Sequence, residues 1–271
     1  MLTQLLLTQL LLALLLSLLI AGLAYWRGSL SRSGAAGALV VGTLTFGFGG
    51  WVWGVLLATF FVTSSLLSHF KEEAKRTAAE KFDKGHTRDI AQVLANGGLG
   101  ALMALLNYLL PSPVWFPLFL GIMATVTADT WATELGTLSQ RPPRLITNGR
   151  FVEVGTSGGV SLLGTAVSFA GGLLIGLLAG LLLTATPLLT ALVGGLGGLA
   201  GSLTDSFLGA TVQQIYYCDH CQKDTERKLH KCGHPTRPLR GWSWLNNDLV
   251  NLFSSFIGGL TVLLLVLLLM I

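Results

Sequence analysis

The sequence predicts an all-α fold, a polytopic transmembrane helical bundle of about eight spans with both termini outside, and three observations carry that expectation. Hydrophobic residues make up 52% of the 271 positions and charged residues only 11%, whereas a soluble chain is about 25% charged. Apolar stretches of about 20 residues, the length that crosses a hydrocarbon core about 30 Å thick, recur along the chain. All 17 Lys and Arg residues fall in alternate connections between those stretches, as loops retained in the cytoplasm require. The chain as a whole has a net charge of +4; a membrane is the expected partner and nucleic acid is not.

The first stretch, 3–25, has neither a positive n-region nor a small-x-small cleavage site, so it is expected to remain as a helix. The second, 33–48, is short and glycine-rich and meets the third, 50–68, at Gly49-Gly50, which suits a half-span or a tightly packed hairpin. Five more follow at 91–110, 114–136, 157–184, 187–211 and 247–271. Basic residues cluster at Arg27 and Arg32 and in the loops 69–91, 137–156 and 212–246. The opposite connections, Gly49-Gly50, Pro111-Ser112-Pro113 and Thr184 to Pro187, carry no charge. The whole chain, 1–271, therefore reads as one integral membrane domain in the cytoplasmic (inner) membrane. Glycines, often paired as at Gly171-Gly172 and Gly194-Gly195, are expected to let helix backbones approach closely rather than to do chemistry.

All but four of the 13 acidic residues lie in loops. The four are Asp129 and Glu134 near the end of the fifth stretch, Asp205 in the seventh and Asp248 at the start of the eighth. A carboxylate inside a span costs about 2.5–3.5 kcal/mol on insertion scales and is normally retained for a pathway, a metal or a proton relay. The helix directions place all four within about two turns of the cytoplasmic face, where they can converge on one shallow site. Thr127, Thr130 and Thr133 accompany Asp129, and Ser202, Thr204 and Ser206 accompany Asp205. Asn247, Asn251 and Ser255 recur at i, i+4 and i+8 beside Asp248, making one helix face polar. A buried hydrogen-bonded packing pair is the alternative for Asp129 and Asp205. For Asp248 the alternative is a first-turn acid favoured by the helix dipole, with Asn246 or Asn247 as cap. Clustered carboxylates repel unless a cation lies between them, and hard oxygen donors beside the cytosol suit Mg²⁺ with substrate phosphates.

Two loops are suited to phosphate. In 137–156 and just beyond it, Arg141, Arg144 and Arg150 precede Gly155-Thr156-Ser157-Gly158-Gly159-Val160-Ser161 at a helix start, where backbone N–H groups form an anion site. A simple loop-to-helix cap is the alternative. In 69–91 the cations can steer a nucleotide triphosphate or a lipid phosphate, with Lys84 and Arg88 nearest the membrane, unless they only anchor the loop to anionic lipid. Gln92 and Asn96 share a helix face at i, i+4 and are placed to line the same site.

The 212–246 loop holds all three cysteines of the chain, as Cys218-x-x-Cys221 and Cys232-Gly233-His234, with His220 and His230 nearby. In a reducing compartment disulfides are rare. A Cys₃His set of Cys218, Cys221, Cys232 and His234 fits a structural zinc knuckle, with unmetallated thiols as the alternative.

The segments QVLANGG (92–98), ATVTADTWATELGTLS (124–139), GTSGGVSLLGT (155–165), GSLTDSFLGATVQ (201–213) and LNNDLVNLFSS (245–255) together resemble the membrane family called domain of unknown function 92, which takes in plant phytyl-phosphate kinases. The resemblance runs from about residue 30 onward. It implies transfer of a γ-phosphoryl group from a nucleoside triphosphate, CTP in the plant relatives, to an isoprenyl monophosphate such as phytyl or geranylgeranyl phosphate. On that reading Asp129, Asp205 and Asp248 hold Mg²⁺, Glu134 aids them or orients a ligand, and residues from Thr156 to Ser161 clamp phosphates with the loop cations. A lipid-phosphate nucleotidyltransferase or a membrane transporter would also place carboxylates in the spans.

Overall fold

Backbone groups in a bilayer have no water to bond, so apolar runs of this length close their hydrogen bonds within helices. The computed structural model describes residues 2–71, 73–75, 81 and 87–269. Among these, the long helices are α1 (Leu2–Trp26), α2 (Arg32–Gly49), α3 (Trp51–His69), α4 (Ile90–Leu109), α5 (Trp115–Gly136), α6 (Leu162–Leu183), α7 (Pro187–Thr211) and α8 (Asn247–Leu269). Local signals set the boundaries. Ser31 Oγ accepts from Gly34 N at 3.1 Å, and Asp89 and Gln92 form a reciprocal capping box at the start of α4. Pro187 occupies the first turn of α7, where its missing N–H costs nothing.

Six helices, α1, α3, α4, α6, α7 and α8, are long and apolar enough to cross a membrane. The other two, α2 and α5, fall short of that standard, and for α2 this agrees with the half-span or tightly packed hairpin that the second stretch suits. For α5 the reason is position. It is buried without a break from Pro117 to Ala128 and supplies the middle of a core with Trp53 and Phe60 of α3, Met103 of α4, Ile175 of α6, Val193 of α7 and Val262 of α8. A helix ringed by protein has no need of a uniformly apolar surface, so it can carry threonines and carboxylates. Helix α2 is the glycine-rich arm of a tight hairpin that turns into α3 at Gly50, a residue with φ of 90°.

The four basic connections meet at one end of the bundle. Arg88 N donates to Ser29 O at 3.0 Å, and Ser31 N donates to Arg88 O at 3.0 Å, tying the α1–α2 loop to the segment before α4. Lys81 Nζ reaches Thr156 Oγ1 at 3.1 Å, Glu226 N donates to Lys81 O at 3.0 Å, and Ser157 Oγ donates to Gln213 Oε1 at 2.7 Å. The topology read from the charge pattern requires this shared end.

Two small sheets sit there, both unforeseen from the sequence. Strands β1 (Arg144–Leu145) and β2 (Gly159–Val160) pair antiparallel, so α6 begins only at Leu162, five residues later than the apolar run suggests, with Ser161 as its cap. Strands β3 (Ile215–Cys218), β4 (Lys223–Thr225) and β5 (Arg237–Arg240) form an antiparallel sheet with β3 in the centre, built from the loop that holds the cysteines.

Candidate functional site

Close helix approach sets the site. A Cβ on Gly201 of α7 or on Gly258 of α8 would overlap the Thr125 side chain of α5, so all three helices are drawn together at that level. One turn further toward the basic end, at i+4 from Thr125 and from Gly201, stand Asp129 and Asp205. One turn along α8 from Gly258 is Ser254. Its Oγ donates to Asp205 Oδ2 at 3.1 Å, and Ser202 Oγ donates to Asp129 Oδ1 at 3.4 Å. The two carboxylates are near enough for the charge of Asp129 to act on Asp205.

Both line a cleft of about 130 Å³. Its floor is α5 and α7, its far wall is the start of α6, and its rim is the turn from Val154 to Ser161. Gly158 in that turn has φ of +84°, and a Cβ there would overlap the Ala210 backbone of α7, so only glycine seats the turn this closely. Ser168 of α6 is buried and faces the cleft, and its Oγ has no hydrogen-bond partner among the described residues. A buried hydroxyl without a partner loses about 1–3 kcal/mol of solvation. That cost is offset if a ligand or an ion's water completes it. Leu199 and Leu203 give the same cleft an apolar wall.

Of the residues expected here, Asp129, Asp205, Thr133, Thr156, Ser157, Gly158, Gly159, Ser161 and Asn247 line the cleft together. The donor set fits a hard divalent cation such as Mg²⁺: two carboxylates and the Ser202 and Ser168 hydroxyls, all oxygen, the last of them buried and without a partner among the described residues. Asp248 and Asn251 are not among the lining residues. Asp248 sits in the first turn of α8, which Asn246 caps by accepting from Leu249 N at 3.1 Å. Thr127, Thr130 and Thr204 donate to carbonyls of their own helices, at Met123, Val126 and Ala200.

Glu134 lies on another face of α5, five residues beyond Asp129. It pairs with Lys75, and its Oε1 accepts from Ser68 Oγ at 2.7 Å. Lys75 also donates to Leu67 O at 2.8 Å and Ser68 O at 3.1 Å, closing the end of α3. Arg88 is buried beside this cluster and donates to Ser65 Oγ at 3.0 Å. Burial pulls its guanidinium below the ordinary arginine value, and the charge of Glu134 opposes that shift. With Gln92 and Asn96, Arg88 heads a separate apolar cavity of about 200 Å³ among α1, α2, α3 and α4. These three residues do not line the carboxylate cleft. Arg144 is also directed elsewhere: its guanidinium lies 4.2 Å from the Phe151 ring and donates to Gly149 O. Lys84 lies outside the described residues.

Among the described residues, Lys81 reaches the rim turn, held by Thr156 Oγ1 and by Glu153 Oε2 at 2.8 Å. Glu226, from the far end of β4, completes the lining and accepts from Gln213 Nε2 at 2.7 Å. Neither was singled out in the sequence. Ser168 had a legible signal, because Ser161, Thr165 and Ser168 fall at i, i+4 and i+7 on one face of α6. Glu226 had none, since only the tertiary path of the loop brings it there.

The family model of integral membrane protein DUF92 matches residues 15–259. The chain belongs to this family. Among DUF92 relatives, it is 35% identical to Protein PGR of Arabidopsis thaliana over 87% of this chain and 88% of that one. It is 31% identical to an uncharacterized membrane protein of Methanocaldococcus jannaschii, over 85% and 83% of the two chains. With the chloroplastic Protein VTE6 of Arabidopsis thaliana the identity is 27%, over 87% of this chain and 65% of that one. No solved structure matches this DUF92 chain.

Proposed function

We propose that this DUF92 protein is a membrane phosphotransferase that moves the γ-phosphoryl group of a nucleoside triphosphate, CTP, onto an isoprenyl monophosphate such as phytyl or geranylgeranyl phosphate. The observation that carries the reading is the pairing of Asp129 and Asp205 in a cleft that also holds the glycine turn and the orphaned Ser168 hydroxyl. Membership of DUF92 and the motif resemblance to phytyl-phosphate kinases support the choice of substrates.

Asp129 and Asp205, with Ser202 and Ser168, would hold Mg²⁺. When bound, the ion neutralises triphosphate charge and orients the phosphoryl group for transfer. The turn from Gly155 to Ser161 offers backbone N–H groups to phosphate oxygens, with Lys81 at its edge. Asn247 hydrogen-bonds the acceptor phosphate or the nucleotide from the opposite wall. An oxygen of the lipid phosphate attacks the γ-phosphorus, the bond to the β,γ-bridging oxygen breaks, and nucleoside diphosphate leaves. The acceptor is already an oxyanion, so no side chain has to take a proton. Leu199 and Leu203 let an apolar chain remain at bilayer depth while its phosphate meets the carboxylates at the cytoplasmic face.

A turnover assay of detergent-purified protein with Mg²⁺, labelled phytyl or geranylgeranyl phosphate, and CTP or ATP tests this. Lipid diphosphate with CDP is expected. Release of pyrophosphate would replace the reading with a nucleotidyltransferase, which would use the same donors. Folded protein that forms neither product across several chain lengths would overturn phosphotransfer.

A further inference from the structure

The loop between α7 and α8 brings three thiols and an imidazole to one point. Cys218 ends β3 and Cys221 follows in the turn to β4, where Gln222 takes a φ of 52°. A second tight turn, closed by Gly233 N donating to His230 O at 2.9 Å, presents His230 and Cys232. The Cys218 and Cys232 sulfurs are 3.7 Å apart, and His230 Nδ1 is 3.1 Å from the Cys232 sulfur. The ligand atoms of Cys218, Cys221, His230 and Cys232 all lie within 4.8 Å of one another.

A disulfide has sulfurs about 2.05 Å apart, and all three cysteines are free. A tetrahedral ion with Zn–S bonds of about 2.3 Å places its sulfurs about 3.8 Å apart, and Zn–N bonds of about 2.0–2.1 Å give a mixed edge of about 3.5 Å. The observed sulfur separation matches, and the imidazole edge is short by about 0.4 Å.

We propose that this loop binds one structural Zn²⁺ through Cys218, Cys221, Cys232 and His230, and that the ion fixes the sheet whose strand β4 leads to Glu226 in the carboxylate cleft. The fourth ligand is His230, not the His234 that the Cys232-Gly233-His234 spacing favours. His234 Nδ1 also lies 3.5 Å from the Cys232 sulfur, but His234 stacks on His220, ring centroids 4.0 Å apart, and the set it forms includes only that one cysteine, whereas His230 is grouped with all three. From the metal the path to the cleft is short. Strand β4 runs from the turn to Thr225, Glu226 follows and lines the cleft, and Gln213 links Glu226 to Ser157 of the glycine turn. Four protein ligands leave no open position, so the ion is structural and takes no part in catalysis.

The test needs no activity and does not depend on the phosphotransfer reading. Full-length protein purified without chelator is analysed for metal by mass spectrometry, and a chelated sample is titrated with Co²⁺ and read by absorbance. One zinc per chain and the intense visible bands of tetrahedral cobalt thiolate are expected. Cys221→Ser and His230→Ala should lower the zinc content at least several-fold, and His234→Ala should retain it. Absence of both zinc and cobalt bands in folded protein would overturn the site. Zinc lost from His234→Ala and kept in His230→Ala would overturn the ligand assignment. Protease cleavage between β3 and β5, faster in the zinc-depleted protein than in the loaded one, reports the role in fixing the sheet. Equal rates would overturn that role.

Discussion

Ser254 of α8 donates a 3.1 Å hydrogen bond to the carboxylate of Asp205 on α7. This bond joins two helices that meet along a seam of small residues, and it fixes one oxygen of a carboxylate that shares a cleft with Asp129. Interhelical bonds of this kind in membranes contribute about 0.6 kcal/mol on average. Ser254→Ala is therefore expected to fold normally and to lower kcat about 3- to 10-fold, through loss of aim rather than loss of charge.

Asp129→Asn and Asp205→Asn remove one charge each from the site that would hold the divalent cation. Metal assistance in phosphoryl transfer is worth several kcal/mol, so either change should cut turnover by about 10²-fold or more. Unchanged detergent gel-filtration behaviour separates this from misfolding. Wild-type protein should lose turnover in EDTA and recover it with added Mg²⁺. Turnover by folded Asp205→Asn within a few-fold of wild type would remove that residue from the site.

Ser168→Ala separates a ligand role from a packing role. The buried hydroxyl has no partner among the described residues, so its removal should leave Tm unchanged or raise it slightly. If the hydroxyl completes its bonding through a bound phosphate or ion, the KM for nucleotide or the half-saturating Mg²⁺ should rise about 3- to 10-fold. A lower Tm with unchanged KM would make Ser168 a core residue only.

Glu134 pairs with Lys75 and does not line the cleft, so this pair is expected to act on stability more than on turnover. Removing one partner of a buried ion pair costs about 3–5 kcal/mol, and the nearby Arg88 keeps the cost of Lys75→Met toward the lower figure. Lys75→Met should lower Tm clearly in detergent, and Lys75→Met with Glu134→Met should restore part of the loss. Glu134→Gln should affect turnover far less than Asp129→Asn.

Gly258→Val would force α8 away from Thr125, and it should lower both Tm and turnover by moving Ser254 off Asp205. Gly98→Ala on α4 is the control. Its nearest neighbour would be Leu94 at 3.8 Å, an ordinary contact, and alanine is the better helix former by about 1 kcal/mol.

Much of the architecture was legible along the chain. Helix boundaries came within a residue or two for most elements, because apolar length and capping residues are local properties. Pro187 to Thr211 is one instance, and Ile90 to Leu109, expected at 91–110, is another. The charge pattern also identified the loops that share an end, since retention of basic loops on one side is a property of loop composition. That Asp129 and Asp205 would share a cleft was legible for a thermodynamic reason: an intramembrane carboxylate is costly and is kept out of lipid, facing protein or a polar cavity.

The sequence by itself determined a helical membrane protein, the end at which its basic loops meet and two acids that line the cleft there. The tertiary structure alone decided which polar residues join them. Asp129 and Glu134 are five positions apart on α5 and so face different neighbours, one toward Asp205 and the other toward Lys75. Arg88, Gln92 and Asn96 turned to a cavity of their own, while Glu226 reached the cleft and Lys81 reached Thr156 at its rim from loops far away in the chain. His230 took the place expected of His234 among the thiols. The physical reason is common to all of these: periodicity reports which face of a helix is polar, but the partner of that face depends on how closely glycine seams bring the helices together and where each loop returns.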